Sequence, residues 1–450
     1  MEICNSWKKL RKIFWTGLII RFLLLAVLMI FIGESALLFS DTREYLGLAD
    51  SLRQGHGFWF HDVAYTLRTP GYPAFLAALG GSSSIQFISI IQIIIASAIP
   101  ILTYHIARQL GFTERISIIA AWITALEPHM VYYSIPILPD AVFTVFFLLF
   151  ILAGMHYVQK QKRRDLLFAS ALFATLLYIK PVLQAFPFYL AIAAVIIAFS
   201  KKTRRPIKDF IVFSAIVFLL AFPWMFRNAQ VGGGFSMSSQ GPALVAFKLA
   251  TSVMSLRDHI TFDEAERILE TRWDKVAPIP IKEVSAYLLQ YPTELARVLA
   301  MNSILLWTSQ TYTYIPNYYG FLPLPPAYTE RPPSVLLLQG KVMEFGREML
   351  SLLRYPYIPL AIIGKLLWTL VAAMFFYGLL KGLMQKNESA WALHVFVALL
   401  VLCYTMTTWI DGFNVEARLR YPFNPLMFVY GTAAAVLVLR SLRKMLPSYG

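Results

Sequence analysis

The stretch IFWTGLIIRFLLLAVLMIFIG, residues 13–33, decides the fold. It has the length an α-helix needs to cross a hydrocarbon core of about 30 Å, and its only charge is Arg21. A basic tail, KKLRK at 8–12, precedes it. A secretory leader has the same order, but this run is long and lacks a convincing small-residue cleavage site, so it reads as a retained first helix. The rest of the chain repeats the pattern. Of 450 residues, 58% are hydrophobic and only 14% charged, a balance that excludes an ordinary soluble domain. Further apolar runs lie near 85–107, 115–133, 137–157, 166–181, 183–200, 209–226, 357–381, 390–409 and 422–440. The sequence therefore predicts an all-α, multi-pass membrane protein with about ten transmembrane helices.

The formal net charge of +15 would suit a nucleic-acid partner, but its placement argues against one. The positive charge gathers in short clusters between apolar runs: KKLRK, then KQKRR at 160–164, KKTRRPIK at 201–208 and RSLRK at 440–444. Short loops dense in Lys and Arg mark the cytoplasmic side of a membrane. With both termini inside, every one of these clusters falls there, so the basicity reports topology in the cell membrane and the bilayer is the expected partner. The two cysteines, Cys4 and Cys403, sit in the basic tail and inside an apolar run, which predicts no structural disulfide.

Two long segments remain outside, 34–84 and roughly 227–355. The second is rich in Gly, Pro, Tyr and Trp and holds helix-like pieces at 262–275, 292–307 and 335–353. Counting 292–307 as a crossing would turn the basic ends at 381–386 and 440–444 outward, so it is expected to lie at the interface. The organisation is then an N-terminal transmembrane module, 1–226, an extracytoplasmic region, 227–356, and C-terminal helices, 357–450.

Directly after the first run comes FSDTREYLGLADSL, residues 39–52. Asp41 with Glu44 three residues on has the form of a capping box, in which the carboxylate serves the free N–H groups of the first helical turn. The rest of the outer loop adds to that reading, because GHGF at 55–58 and LRTPGYPAFLAAL at 67–79 follow. Further along stand YYSIPILPDAVFTVFFLL at 132–149, LLYIKPVLQAFP at 176–187, FPWMFRNAQVGGGF at 222–235 and EARLRYPFNPLMFVYGTAAA at 416–435. In this order, and all at predicted outer helix ends, these pieces resemble the polyprenyl-phosphate-dependent glycosyltransferases of the GT-C superfamily. The similarity is to glycosyltransferase family 39, the protein O-mannosyltransferases, and to the lipid A aminoarabinose transferases. Asp140 stands where many relatives have Glu, and Lys180 where Arg is more common. The resemblance runs from about 40 to 435 and is weakest over 236–355.

The resemblance implies a membrane glycosyltransferase. It would move a hexosyl or pentosyl unit from a polyprenyl-phosphate donor to a hydroxyl on an acceptor glycan, lipid or protein, on the extracytoplasmic face, by one inverting displacement. Such chemistry asks for a carboxylate to take the hydroxyl proton and for fixed cations to receive charge on the leaving phosphate. Asp41 is the candidate base, with Asp140 a second catalytic carboxylate. Tyr45, Arg68, Lys180, Arg227, Arg418 and Arg420 are the candidate substrate-binding residues. Each Arg at a helix end also has an ordinary structural use, snorkelling to headgroups or meeting an orphan carbonyl. Lys180, followed by Pro181 between two apolar runs, is costly there without a partner. No His or Cys spacing marks a tight metal site, which leaves at most a loosely held divalent cation on oxygen ligands. GGG at 232–234 has neither the preceding strand nor the following Lys-Ser/Thr of a phosphate loop and reads as a turn. The competing functions are a polytopic transporter or lipid flippase and a non-catalytic subunit of a polysaccharide-assembly complex. Transporters place ionisable residues near the bilayer midplane in paired halves, whereas here the polar motifs lie in outer loops.

Overall fold

A computed structural model describes residues 2–200, 202–273, 279–321, 333–355 and 357–445. Lys201 of the basic cluster at 201–208, residues 274–275 of the piece predicted at 262–275, and Pro356 at the predicted domain boundary lie outside the described residues. The protein is helical almost throughout. Among the described residues the strands are one antiparallel pair, Trp59–Phe60 against Val63–Ala64.

Among the described residues, eight helices are long and apolar enough to cross a membrane, by length and composition: Ser6–Phe31, Gly81–Gln109, Asp140–Lys160, Pro181–Phe199, Arg205–Gln230, Ile358–Leu383, Glu388–Asn414 and Ala417–Arg443. The other two predicted runs form shorter helices, and proline explains both. The run expected at 115–133 is a 13-residue helix, Glu114–Leu126, followed by a short one at Pro128–Tyr132. Pro128 has no N–H to donate and favours the first turn of a new helix. Glu127 caps that turn by accepting from the Met130 N–H at 2.8 Å. The run expected at 166–181 is a 17-residue helix, Arg163–Ile179, which Lys180 and Pro181 bring to an end. In the later segment the predicted piece at 335–353 is two helices, Pro333–Leu338 and Val342–Leu352. The 292–307 piece is one helix, Pro292–Thr308.

The chain divides into two compact units. One comprises Met1–Ser238, Leu370–Tyr404 and Tyr421–Gly450, and the other Ser239–Thr369 with Thr405–Arg420. In the first, the break at Glu127–Pro128 is sealed by the charge inside the first helix. Arg21 is fully buried. Its guanidinium donates to the carbonyls of Gly17, Ala125 and Met130 at 3.0, 3.3 and 3.4 Å. The last carbonyls of a helix have no partner of their own, and in an apolar surrounding an unmet one is costly. The Tyr421 hydroxyl also donates to Met130 O at 3.2 Å, and Asn424 pairs with His129 at 2.7 Å. The aromatic and aliphatic core of the second unit gathers Phe247, Val253, Leu269, Trp273, Tyr287 and Val298. Asn302 there donates to the carbonyls of Thr408 and Gly412, both at 2.8 Å.

Arg21→Met keeps much of the apolar stem and removes the donors. It is expected to lower the unfolding free energy in detergent by about 1–2 kcal/mol, the scale of polar contacts between membrane helices. An unchanged denaturation midpoint in a correctly inserted variant would show that those carbonyls do not need the guanidinium.

Candidate functional site

The acidic helix, Thr42–Arg53, begins as the sequence predicts, but its capping box does not form. Asp41 occupies the N-cap position with φ −80° and ψ −15° and makes no capping hydrogen bond through its side chain. Its carboxylate turns instead to Arg68, whose Nη2 lies 3.1 Å from Asp41 Oδ1. The same guanidinium donates through Nε to Glu44 Oε2 at 2.6 Å and lies 3.4 Å from the Tyr45 hydroxyl. It also sits over the Tyr45 ring, 5.0 Å from the centroid. One cation therefore gathers two carboxylates and a phenol from a single helix face, which the i, i+3 and i, i+4 spacing makes possible.

Exposure grades the members of this cluster. The side chains of Asp41, Glu44 and Arg68 are 27%, 19% and 17% exposed, and Tyr45 is buried. Burial pushes the Glu44 carboxyl above its ordinary range; attraction from Arg68 opposes this, and the neighbouring Asp41 charge adds to it. Burial also works against the charge on Arg68, but Tyr45, Asp41 and Glu44 together outweigh it, and the guanidinium is held above its usual range.

The second predicted carboxylate has its own cation. Asp140 opens the helix Asp140–Lys160 after Pro139 and is completely buried. Lys180 Nζ lies 3.1 Å from Asp140 Oδ1. The Lys180 backbone is extended, φ −157° and ψ 114°, the conformation a following proline favours. That turn carries the ammonium back to the start of the neighbouring helix, where its side chain is 19% exposed. A buried carboxylate without such a partner would carry a large desolvation cost.

Short hydrogen bonds tie the two pairs to a common loop. Thr42, the first residue of the acidic helix, accepts from Phe39 N at 2.8 Å and donates to Ile137 O at 2.9 Å. Ile137 N returns a bond to Leu37 O at 2.9 Å. The loop before Asp140 is held on its other side by Ser89 to Ile135 O at 2.7 Å and Gln92 to Pro136 O at 3.0 Å. The Tyr72 hydroxyl meets Gln92 Oε1 at 2.5 Å. Tyr72 belongs to the PGYP motif, and its neighbour Gly71 explains the glycine there. A Cβ on Gly71 would stand 2.6 Å from Tyr178 O, next to Lys180. The motif thus packs its backbone directly on the end of the helix that delivers Lys180.

Arg227 lies elsewhere in the same unit. Its Nη1 donates to Tyr65 O at 2.6 Å and Asn228 Oδ1 at 3.0 Å, and its Nη2 to Phe58 O at 2.9 Å. Arg418 and Arg420 belong to the second unit. Arg420 is buried, donates to Leu306 O and Ser309 O at 2.8 Å each, and sits 3.9 Å over the Trp368 ring. Arg418 is half-buried. Of the eight residues singled out in the sequence, then, Asp41, Tyr45 and Arg68 form one cluster and Asp140 with Lys180 a second, joined through the 135–137 loop. Among the described residues no three His, Cys, Asp or Glu side chains gather to hold a metal. Sequence reasoning missed Glu44 as a member of the cluster and Thr42 as the link between the carboxylates. The signal for Glu44 was present in its position one turn from Asp41.

Comparison with known proteins bears on the first unit. Residues 72–226 match the dolichyl-phosphate-mannose-protein mannosyltransferase family. The matched segment includes Asp140 and Lys180 and leaves the Asp41 cluster outside. No curated protein matches the chain. The chain resembles GT-C glycosyltransferases of this kind, and the match supports a membrane glycosyltransferase that draws on a polyprenyl-phosphate sugar.

The raised Glu44 carboxyl yields a pH test. A carboxyl whose folded pKa lies above its unfolded value contributes stability at low pH that is lost as pH rises through the folded value. Glu44→Gln is therefore expected to flatten that part of the stability profile, from the ordinary carboxylate range upward. Thermal midpoints of the two proteins measured across that range decide it. Parallel profiles would mean that Glu44 does not carry the dependence.

Proposed function

We propose that the protein transfers a sugar from a polyprenyl-phosphate donor to an acceptor hydroxyl, in one inverting displacement, with Asp41 as general base. The observation that carries this reading is the use to which Asp41 is put. A carboxylate at a helix N-cap ordinarily serves the helix, but here it is turned away, oriented by Arg68 and left partly exposed. A carboxylate so held accepts a proton from a hydroxyl that comes within hydrogen-bond reach. Glu44 and Tyr45 fix the guanidinium that orients it.

Lys180 is the residue proposed to receive charge on the departing phosphate. Its side chain is partly exposed, and its ammonium is anchored on the buried Asp140. A fixed cation stabilises developing negative charge without reorganisation at the moment of transfer. In this role Asp140 acts by holding Lys180 in place. The donor tail would lie in the bilayer between helices, and the active face would be extracytoplasmic, opposite the basic loops. The acceptor is a glycan, a lipid or a protein that presents a hydroxyl at that face.

Two experiments test this. Asp41→Asn preserves size and helix-capping ability and removes the proton acceptor, so transfer should slow by roughly 10²–10⁴ in a folded, inserted enzyme. Near-normal turnover would return Asp41 to a structural role and shift attention to Asp140. For the face, a cysteine introduced at the exposed Ser82 in a Cys4→Ser background, which keeps only the buried Cys403, should react with an impermeant maleimide on intact cells. Reaction only after the inner face is opened would reverse the orientation.

A further inference from the structure

The mechanism proposed above leaves Arg227 without a task, and its surroundings supply one. It stands at the end of the helix Arg205–Gln230, half-buried. Three of its N–H bonds are taken, by two backbone carbonyls and the Asn228 side chain. Two aromatic rings lie beside the guanidinium too, Trp224 at 4.9 Å and Phe58 at 5.7 Å to the ring centroids. The two carbonyls, of Phe58 and Tyr65, flank the two-stranded hairpin, and Tyr65 N donates across to Phe58 O at 3.0 Å. The base of the hairpin is thus closed on a single arginine.

The same region grips the chain that follows. The Ser238 hydroxyl donates to Leu67 O at 2.6 Å. A Cβ on Gly233 would stand 2.5 Å from the Thr66 methyl, so the GGG turn lets the backbone approach where another residue would collide. Asn228 and Trp224 hold this turn in place through Ser236 O and Met237 O at 2.9 and 3.0 Å. At the hairpin's other end, the Phe60 ring lies where a Cβ on Gly47 of the acidic helix would be, 2.5 Å away. Three residues after Tyr65 comes Arg68, which orients Asp41.

We propose that Arg227 is a positioning residue that locks the 58–65 hairpin and, through the short run 66–67, sets the Arg68 guanidinium that orients Asp41, and that it does not receive the donor phosphate. His61 and Asp62, the two residues of the hairpin's turn, both have positive φ, 50° and 59°, as a two-residue hairpin turn requires, so the tip is set locally and the base is where Arg227 acts. The link to transfer rests on the proposed role of Asp41; the lock on the hairpin does not.

The test uses the full chain in lipid nanodiscs. In Arg227→Ala, amide hydrogen exchange over 56–68 should rise by about tenfold or more, the worth of charged hydrogen bonds to backbone carbonyls. Arg227→Lys should restore part of the protection, because one ammonium cannot reproduce the planar fork that meets both carbonyls. Affinity for a polyprenyl monophosphate without its sugar should stay within about threefold of the parent. In transfer assays kcat should fall with donor KM unchanged. A loss of polyprenyl-monophosphate affinity of about tenfold or more, or unchanged exchange over 56–68, overturns the proposal. If Arg227→Ala does not fold, Arg227→Lys and Ser238→Ala carry the same contrast. Each should loosen the segment, by a smaller factor, and leave phosphate affinity intact. If exchange responds as expected and transfer does not, it is the role of Asp41 that fails and the lock that stands.

Discussion

Backbone carbonyls that lose their partners where apolar helices stop are the constraint on which this structure depends. Each such group in a low-dielectric surrounding costs energy unless a donor reaches it. The chain answers with long side chains whose charge would itself be costly there. Arg21 reaches the carbonyls around the Pro128 break, Arg227 those at the base of the hairpin, and Arg420 those of Leu306 and Ser309. In each case two costs offset one another. The guanidinium is satisfied by carbonyls that face it, and the carbonyls gain a charged donor. Breaks in otherwise continuous apolar helices become tolerable, and breaks are what place polar side chains at helix ends.

The candidate site depends on those breaks. Pro139 opens the helix that begins with Asp140, and Pro181 ends the one that delivers Lys180. Between them the 135–137 loop offers carbonyls and an N–H to Ser89, Gln92, Thr42 and Leu37. The two carboxylate–cation pairs are therefore not independent features that happen to share an enzyme. A shift of this loop would move the start of the acidic helix and the start of the Asp140 helix together.

Much of the architecture was legible because a membrane simplifies the code. Apolar runs of helix-crossing length and basic loops required no knowledge of contacts. The exceptions are physical: Pro128 divided one run, and the Lys180–Pro181 pair ended another at Ile179. The site was legible in part. Asp41, Tyr45 and Arg68 could be named, as could Asp140 and Lys180, since charge at an apolar helix end calls for a partner. Which partner each takes could not be read. The capping-box spacing of Asp41 and Glu44 describes two carboxylates one turn apart, and that same spacing serves a guanidinium arriving from 24 residues beyond Glu44. Local sequence cannot choose between the helix's own N–H groups and a distant arginine, because the choice depends on where the hairpin brings Arg68.

The division of labour between arginine and lysine follows from the same geometry. Where a cation must satisfy several acceptors in fixed directions, the chain uses Arg, whose planar fork meets two or three at once. Arg68 spans Asp41, Glu44 and Tyr45 in this way. Lys180 makes one charged contact, to Asp140. An ammonium is a compact charge on a flexible stem with three donors, so one anchoring carboxylate leaves the remaining donors able to turn toward a second anion. A guanidinium whose two terminal nitrogens are both committed to backbone carbonyls, as those of Arg227 are, has no such latitude. On the proposed reading, a residue that holds still and a residue that meets an arriving phosphate place opposite demands on their side chains. The lysine at 180 suits the second and the arginines at 68 and 227 suit the first.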